Sequence, residues 1–249
     1  MNRSFWLPVY TLWRRDLIRF WRERTRVLGF LGTPVIFWLI VGSGFGDMAY
    51  FFPGTLTLSV MFSAIFSMMS LIEDRREGFL LSMMVSPAPR ASMVLGKVLG
   101  SSTLAWIQAL ILLAFLPLAG FTVTLPLLAK LAGTLFLIAF TFTSLGFLFA
   151  WKLDSTQGFH AIMNLVLFPL WMVSGSLFTM AQAHGPMQWL MRANPLTYAV
   201  AAIRRILNPA LTDGSPELRL SILVTLACGI SLWLVSTLVA SSKTTRSQA

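Results

Sequence analysis

Charge is what this sequence has least of. Only 11% of its 249 residues are Asp, Glu, Lys or Arg, while 56% are hydrophobic, against roughly 25% charged in ordinary soluble domains. A soluble single-domain reading is nearly excluded. Cysteine is almost missing: the single thiol, Cys228, lies in an apolar run, so neither an intrachain disulfide nor a cysteine metal cluster can form. A phosphate-binding loop is missing too. The nearest string, Leu95-Gly96-Lys97-Val98, has neither the upstream glycine nor the hydroxyl after the lysine, so ATP hydrolysis by this chain is not expected. The two histidines, His160 and His184, are far apart and fall toward opposite faces of a membrane, which gives a His-metal or His-base site little support. There is no G-x-S-x-G elbow, no filter-like glycine loop and no acid at mid-span, which weakens enzyme and channel readings.

Long uncharged runs fill the space that charge leaves. Six stretches, 27–46, 48–72, 98–129, 131–151, 155–191 and 220–242, contain no Asp, Glu, Lys or Arg, and a bilayer span needs about 20 mostly apolar residues. The expected fold class is an all-α polytopic membrane protein of one transmembrane domain, residues 1–249. Its six transmembrane helices are placed at about 27–45, 54–72, 94–117, 127–151, 159–178 and 218–240. The net charge of +10 sits mainly in the short segments between runs, where it sets topology rather than nucleic-acid binding.

Residues 1–26 read as an amphipathic interfacial helix. Trp6, Val9, Trp13, Leu17 and Phe20 recur at three- and four-residue spacing, and Arg14, Arg15, Arg19, Arg22, Glu23 and Arg26 fall largely elsewhere around the helix. Seven arginines in this segment, Arg75, Arg76 and Arg90 after the second span, Lys152 after the fourth, and Lys243 and Arg246 in the tail place both termini in the cytoplasm. The loops at 46–53 and 118–126 carry no basic residue. Residues 179–217 fall outside by the even count yet contain Arg192, Arg204 and Arg205. Their apolar content predicts short helices re-entering the outer leaflet before the last span, under cover of protein or a water-filled cavity.

The cytoplasmic loop 73–90 carries the most information. Glu73, Asp74, Arg75, Arg76, Glu77 and Gly78 form a mixed-charge cluster at a span end, followed by FLLSMMVSPAPR. Charges at the rim with Phe79, Leu80, Met83 and Met84 as an apolar anchor suit docking of a soluble partner. An ordinary juxtamembrane stop signal is the plainer alternative. Along the second span Thr55, Ser59, Ser63, Ser67 and Ser70 form a stripe that either packs closely or lines a substrate path, packing being the commoner use. Asn164 in the fifth span is an intramembrane amide that needs a partner helix or a cavity. Gly96 and Gly100 read as a packing pair, and Lys130 can snorkel.

These strings resemble the permease subunits of type-2 ABC exporters. In that family the loop after the second span carries a charge cluster, Glu-Gly, an apolar stretch, and Ser or Thr before Pro, matched here by Glu77-Gly78, Leu80, Met83, Met84, Val85, Ser86 and Pro87. A second match is Asn194-Pro195-Leu196-Thr197-Tyr198 with Arg204 beyond it, although Ala201 stands where the family usually has Asp. The resemblance covers essentially the whole chain. It implies that the 73–90 loop is the coupling helix receiving motion from a cytoplasmic ABC ATPase, present in two copies and holding the ATP and Mg. It also implies a second permease subunit, identical or not, and residence in the plasma (inner) membrane. No cofactor or metal is expected in this chain, and with no charge deep in a span the expected cargo is apolar or amphipathic. A non-transporting scaffold docking a cytoplasmic partner is the alternative.

Overall fold

The computed structural model describes residues 3–22, 24–209 and 214–242, with side chains placed at 5–19, 32–83, 85–209 and 214–242. No strand occurs among the described residues. The first helix, α1 (Arg3–Arg22), is followed by α2 (Arg24–Phe45) and α3 (Met48–Ser67). The Asp47 side chain caps α3 by accepting from the Tyr50 amide at 2.8 Å. This cap explains why the second span starts earlier than expected: the helix is anchored before Pro53, which then sits inside its early turns. A turn at Met68 leads into α4 (Met69–Arg76), and together they make a 29-residue apolar unit.

Gly78 turns the chain sharply. Its φ of +75 is the left-handed region that glycine alone adopts without strain, and it starts the short α5 (Phe79–Val85). Ser86 is extended and Pro89 precedes α6 (Arg90–Leu112). Then follow α7 (Leu125–Lys152), capped by Thr124, and α8 (Thr156–Trp171), capped by Ser155. A π-turn at Met172–Ser176 ends α8, and α9 (Pro186–Ala193), α10 (Pro195–Leu207) and α11 (Leu218–Ser242) complete the chain.

Among the described residues, five helices are long and apolar enough to cross a membrane, and the part of α2 with described side chains, Gly32–Phe45, is apolar at the first expected span. The centre of the bundle is α3: 83% of the most apolar window of the α3–α4 unit is buried, against 17% in α11. In hydrocarbon the apolar surface of α11 needs no cover, so a lipid-facing helix keeps its leucines outside. Core contacts are aromatic and backbone-seeking. Trp38 meets Phe52 edge to face at 5.3 Å, and the Trp171 indole donates to the Gly54 carbonyl at 2.8 Å.

Packing shows how two sequence features are used. Thr55, Ser59, Ser63, Ser67 and Ser70 are all buried inside one chain. Thr55 and Ser67 donate to the carbonyls one turn back, and Ser63 bonds Gln108 of α6. Within the chain the stripe packs, the commoner of the two uses expected for it. On α1, Val9 and Leu12 are buried while Trp6, Leu7, Tyr10 and Ile18 are exposed, so the single apolar face expected from Trp6, Val9, Trp13, Leu17 and Phe20 is split. One side packs on α6 and the opposite side carries the free aromatic surface. The side chains of Phe20, Arg22, Glu23 and Arg26, and the tail cations Lys243 and Arg246, lie outside the described residues.

Candidate functional site

The loop end of the bundle is organised around a carboxylate. Asp74 in the last turn of α4 is fully buried. The Arg15 guanidinium of α1 grips it with both terminal nitrogens, at 2.5 and 3.1 Å, and Arg19 donates to it at 3.2 Å. From α6, the Lys97 ammonium lies 2.6 Å from Asp74 Oδ2. The same ammonium binds Asp16 of α1 at 3.0 and 3.2 Å and approaches the Ser70 hydroxyl at 3.4 Å. Lys97 and Asp16 are buried as well. Two carboxylates around one ammonium leave an excess negative charge, which the fork of Arg15 offsets. Such a group tolerates burial only because each member is paired.

The backbone makes room for this arrangement. A β-carbon at Gly96 would lie 3.0 Å from the Val9 carbonyl and the Leu12 side chain, and one at Gly100 would meet Asp16 at 3.1 Å. The glycine pair thus packs as expected, and its partner is α1. Burial pushes the Asp16 carboxyl above its ordinary value, with Lys97 opposing.

Glu73, Arg75 and Arg76 bond to other elements of the chain. Arg19 binds Glu73 at 2.8 Å. Arg75 reaches the last carbonyls of α7, Trp151 at 2.6 Å and Leu153 at 3.2 Å, and the Asp154 carboxylate at 2.9 Å. A guanidinium on the free carbonyls of a helix C-terminus satisfies orphan acceptors and meets the negative end of the dipole. Arg76 donates to the Asp154 carbonyl at 2.9 Å. Glu77 remains exposed, with Arg19 3.8 Å away.

The apolar half of the loop also differs from expectation. Leu80 and Met83 are buried, and Phe79 lies beneath the Arg15 guanidinium, 3.6 Å from the ring centroid. These residues seat α5 on the bundle. The outward face is Leu81 and Val85, 68% and 80% exposed, with exposed Pro87 nearby. Met84 has its side chain outside the described residues.

At the other end of the bundle, Asn194 caps α10: its Oδ1 accepts from the Leu196 amide at 3.0 Å and its Nδ2 donates to the Leu170 carbonyl at 2.6 Å. Pro195 occupies the first turn, where no amide donor is needed. Leu196 and Thr197 are buried, and the Tyr198 hydroxyl donates to the Arg192 carbonyl at 2.9 Å. Arg204 donates to the Gly175 carbonyl at 2.9 Å and lies over the Tyr50 ring at 4.5 Å. Where the resembled family has an acid, this chain holds its arginine with a carbonyl and an aromatic face. Asn164 is exposed on α8, with Gln157 and His160 on the same side.

Asp16 and Lys97 were not legible as site residues from the loop alone. A signal did exist: Asp16 follows Val9 and Leu12 at helical spacing of three and four, on the side that becomes buried.

The ABC-2 type transporter family model matches residues 8–208. Nodulation protein J of Rhizobium leguminosarum bv. trifolii is 27% identical over 216 residues, covering 81% of this chain and 80% of that protein. A putative transport permease, ycf38, of Cyanophora paradoxa is 24% identical over 212 residues, covering 79% and 72%.

Proposed function

We propose that this chain, which belongs to the ABC-2 type transporter family, is the membrane-spanning subunit of an exporter driven by a separate cytoplasmic ATPase. The observation that carries the reading is α5. It is a short helix displayed at the loop end of the bundle, with Leu81 and Val85 outward and its root tied into the spans through Asp74, Lys97 and Arg75. A docking element of this kind needs an apolar contact for a partner and a stiff connection behind it. Two ATPase copies, holding ATP and Mg, would each seat one such helix. Partner movement can then bias the permease only through contacts that differ between its states.

A second permease subunit would cover the outer side of α8. Asn164 is an amide exposed within α8, in line with the exposed Gln157 and His160 nearer its start, and uncovered polar groups inside a span are costly. The membrane is then the plasma (inner) membrane, with both termini on the ATPase side, and the cargo is apolar or amphipathic.

The test is co-purification from native membranes in mild detergent. The wild-type chain should bring down a protein with a phosphate-binding loop, and Leu81→Asp with Val85→Asp should lose it while keeping the melting temperature. Recovery of membrane components without any ATPase would overturn the proposal. Reversing Asp74 is unsuitable, because it would bury a second cation beside Lys97.

A further inference from the structure

Between α3 and α6 two buried polar atoms have no partner in the chain: Ser59 Oγ and Gln108 Nε2. Both residues are 1% exposed. They belong to one neighbourhood, because Ser63 bonds the Gln108 Oε1 and Ser59 precedes Ser63 by one turn on the same helix face. Residues four apart on a helix have β-carbons about 5–6 Å from one another. Two hydrogen bonds of about 2.8 Å, laid end to end, cover that range.

The other hydroxyls of these helices show what is unusual here. Thr55, Thr57 and Ser67 donate to the carbonyl one turn back, and so do Ser102 and Thr103 of α6. Ser59 and Ser63 are not turned back in this way. They occupy consecutive turns of the face that meets Gln108, and the amide engages only the second of them. On α6 the amide is flanked by Ala105 and Ala109, both fully buried, so the side chains beside it are short. Both helices belong to units apolar and long enough to cross a membrane, and a donor left dry in such surroundings bears its full desolvation cost.

We propose that the α3–α6 contact is a binding site for one ordered water molecule, which accepts a hydrogen bond from Gln108 Nε2 and bonds the Ser59 hydroxyl. Buried waters characteristically complete polar groups that lack a protein partner. An ion suits the site less well: the amide N–H groups oppose a cation, and Ser59, Ser63 and Gln108 bring no charge to balance an anion. The site does not depend on what the chain transports or on what drives it.

Magnetic resonance of the full chain in lipid vesicles, with isotope-labelled glutamine, tests this without any ATPase. Magnetisation placed on water should reach the Gln108 side-chain amide while a water-soluble paramagnetic chelate bleaches exposed glutamines such as Gln157. Loss of the resonance in Gln108→Met identifies it, and its shift in Ser59→Ala identifies it a second time. Transfer should fall several-fold in Ser59→Ala. Melting temperatures close the cycle: Ser59→Ala should lower that of the wild type and leave that of Gln108→Met nearly unchanged, since there the water has already lost its amide. An equal effect in both backgrounds would overturn the proposal, because two dry groups act independently. Coupling between the two sites without transfer from water would overturn it in favour of a direct bond between the amide and Ser59.

Discussion

Lys97 matters because its two carboxylate partners come from different helices. Removing it by Lys97→Met leaves Asp16 and Asp74 facing each other across a buried site, and breaking such a group costs about 3–5 kcal/mol. The expected result is a clear loss of thermal stability in detergent. Adding Asp16→Asn should recover part of it, since Asp16 is the carboxylate that loses its hydrogen-bonded cation, while Asp74 keeps Arg15 and Arg19. Asp16 also gives a pH signature. Its folded value is raised by burial, so the folded state holds that proton more tightly. The associated stability is present below the ordinary carboxylate value and is lost as pH rises through the folded one. Melting curves of wild type against Asp16→Asn should therefore show the wild type losing ground with rising pH. A difference independent of pH would mean that Asp16 titrates as it does in the unfolded chain.

At the scale of elements, α1 and α5 are both fastened to spans, and their free faces differ. Docking of α1 depends on the bare backbone of Gly96 and Gly100. Gly96→Leu should displace α1 at about 1–3 kcal/mol, the usual cost of overpacking, and limited trypsin digestion should then cut faster at the N-terminal arginines. For α5, Gly78→Pro sets a φ near −65° where +75 is found. That variant should misplace the helix and lower stability as well as coupling, whereas Leu81→Asp should affect partner binding alone. The amphipathic character of α1 and the punctuation of the 73–90 loop by Gly78, Pro87 and Pro89 were readable from spacing. Which side of each helix is covered was not: Leu80, Leu81, Met83 and Val85 are similar in hydropathy, and Met83 is covered by Leu12 of α1 and Met93 of α6 while Leu80 joins the main core.

For the whole molecule, the exposed amide of Asn164 sets the expectation for assembly. In a Cys228→Ser background, Asn164→Cys should form an intermolecular disulfide in membranes if a second copy covers α8, and the monomer's melting temperature should be unaffected. Cross-linking to a different chain would instead mean a heteromeric permease. The polytopic helical class, the number of apolar runs and their approximate limits were settled by the sequence alone, because a bilayer demands uncharged stretches of a set length and leaves few alternatives. The Asn194 to Tyr198 string was read as a family likeness, and its role as the cap and first turn of α10 came from the structure. The tertiary structure decided the rest. It turned the hydroxyl stripe of α3 inward against α6, paired Asp16 and Asp74 through Lys97, and moved the free apolar face of α5 to Leu81 and Val85. These outcomes depend on residues 23 to 81 positions apart meeting in space, and local spacing carries no information about contacts of that range.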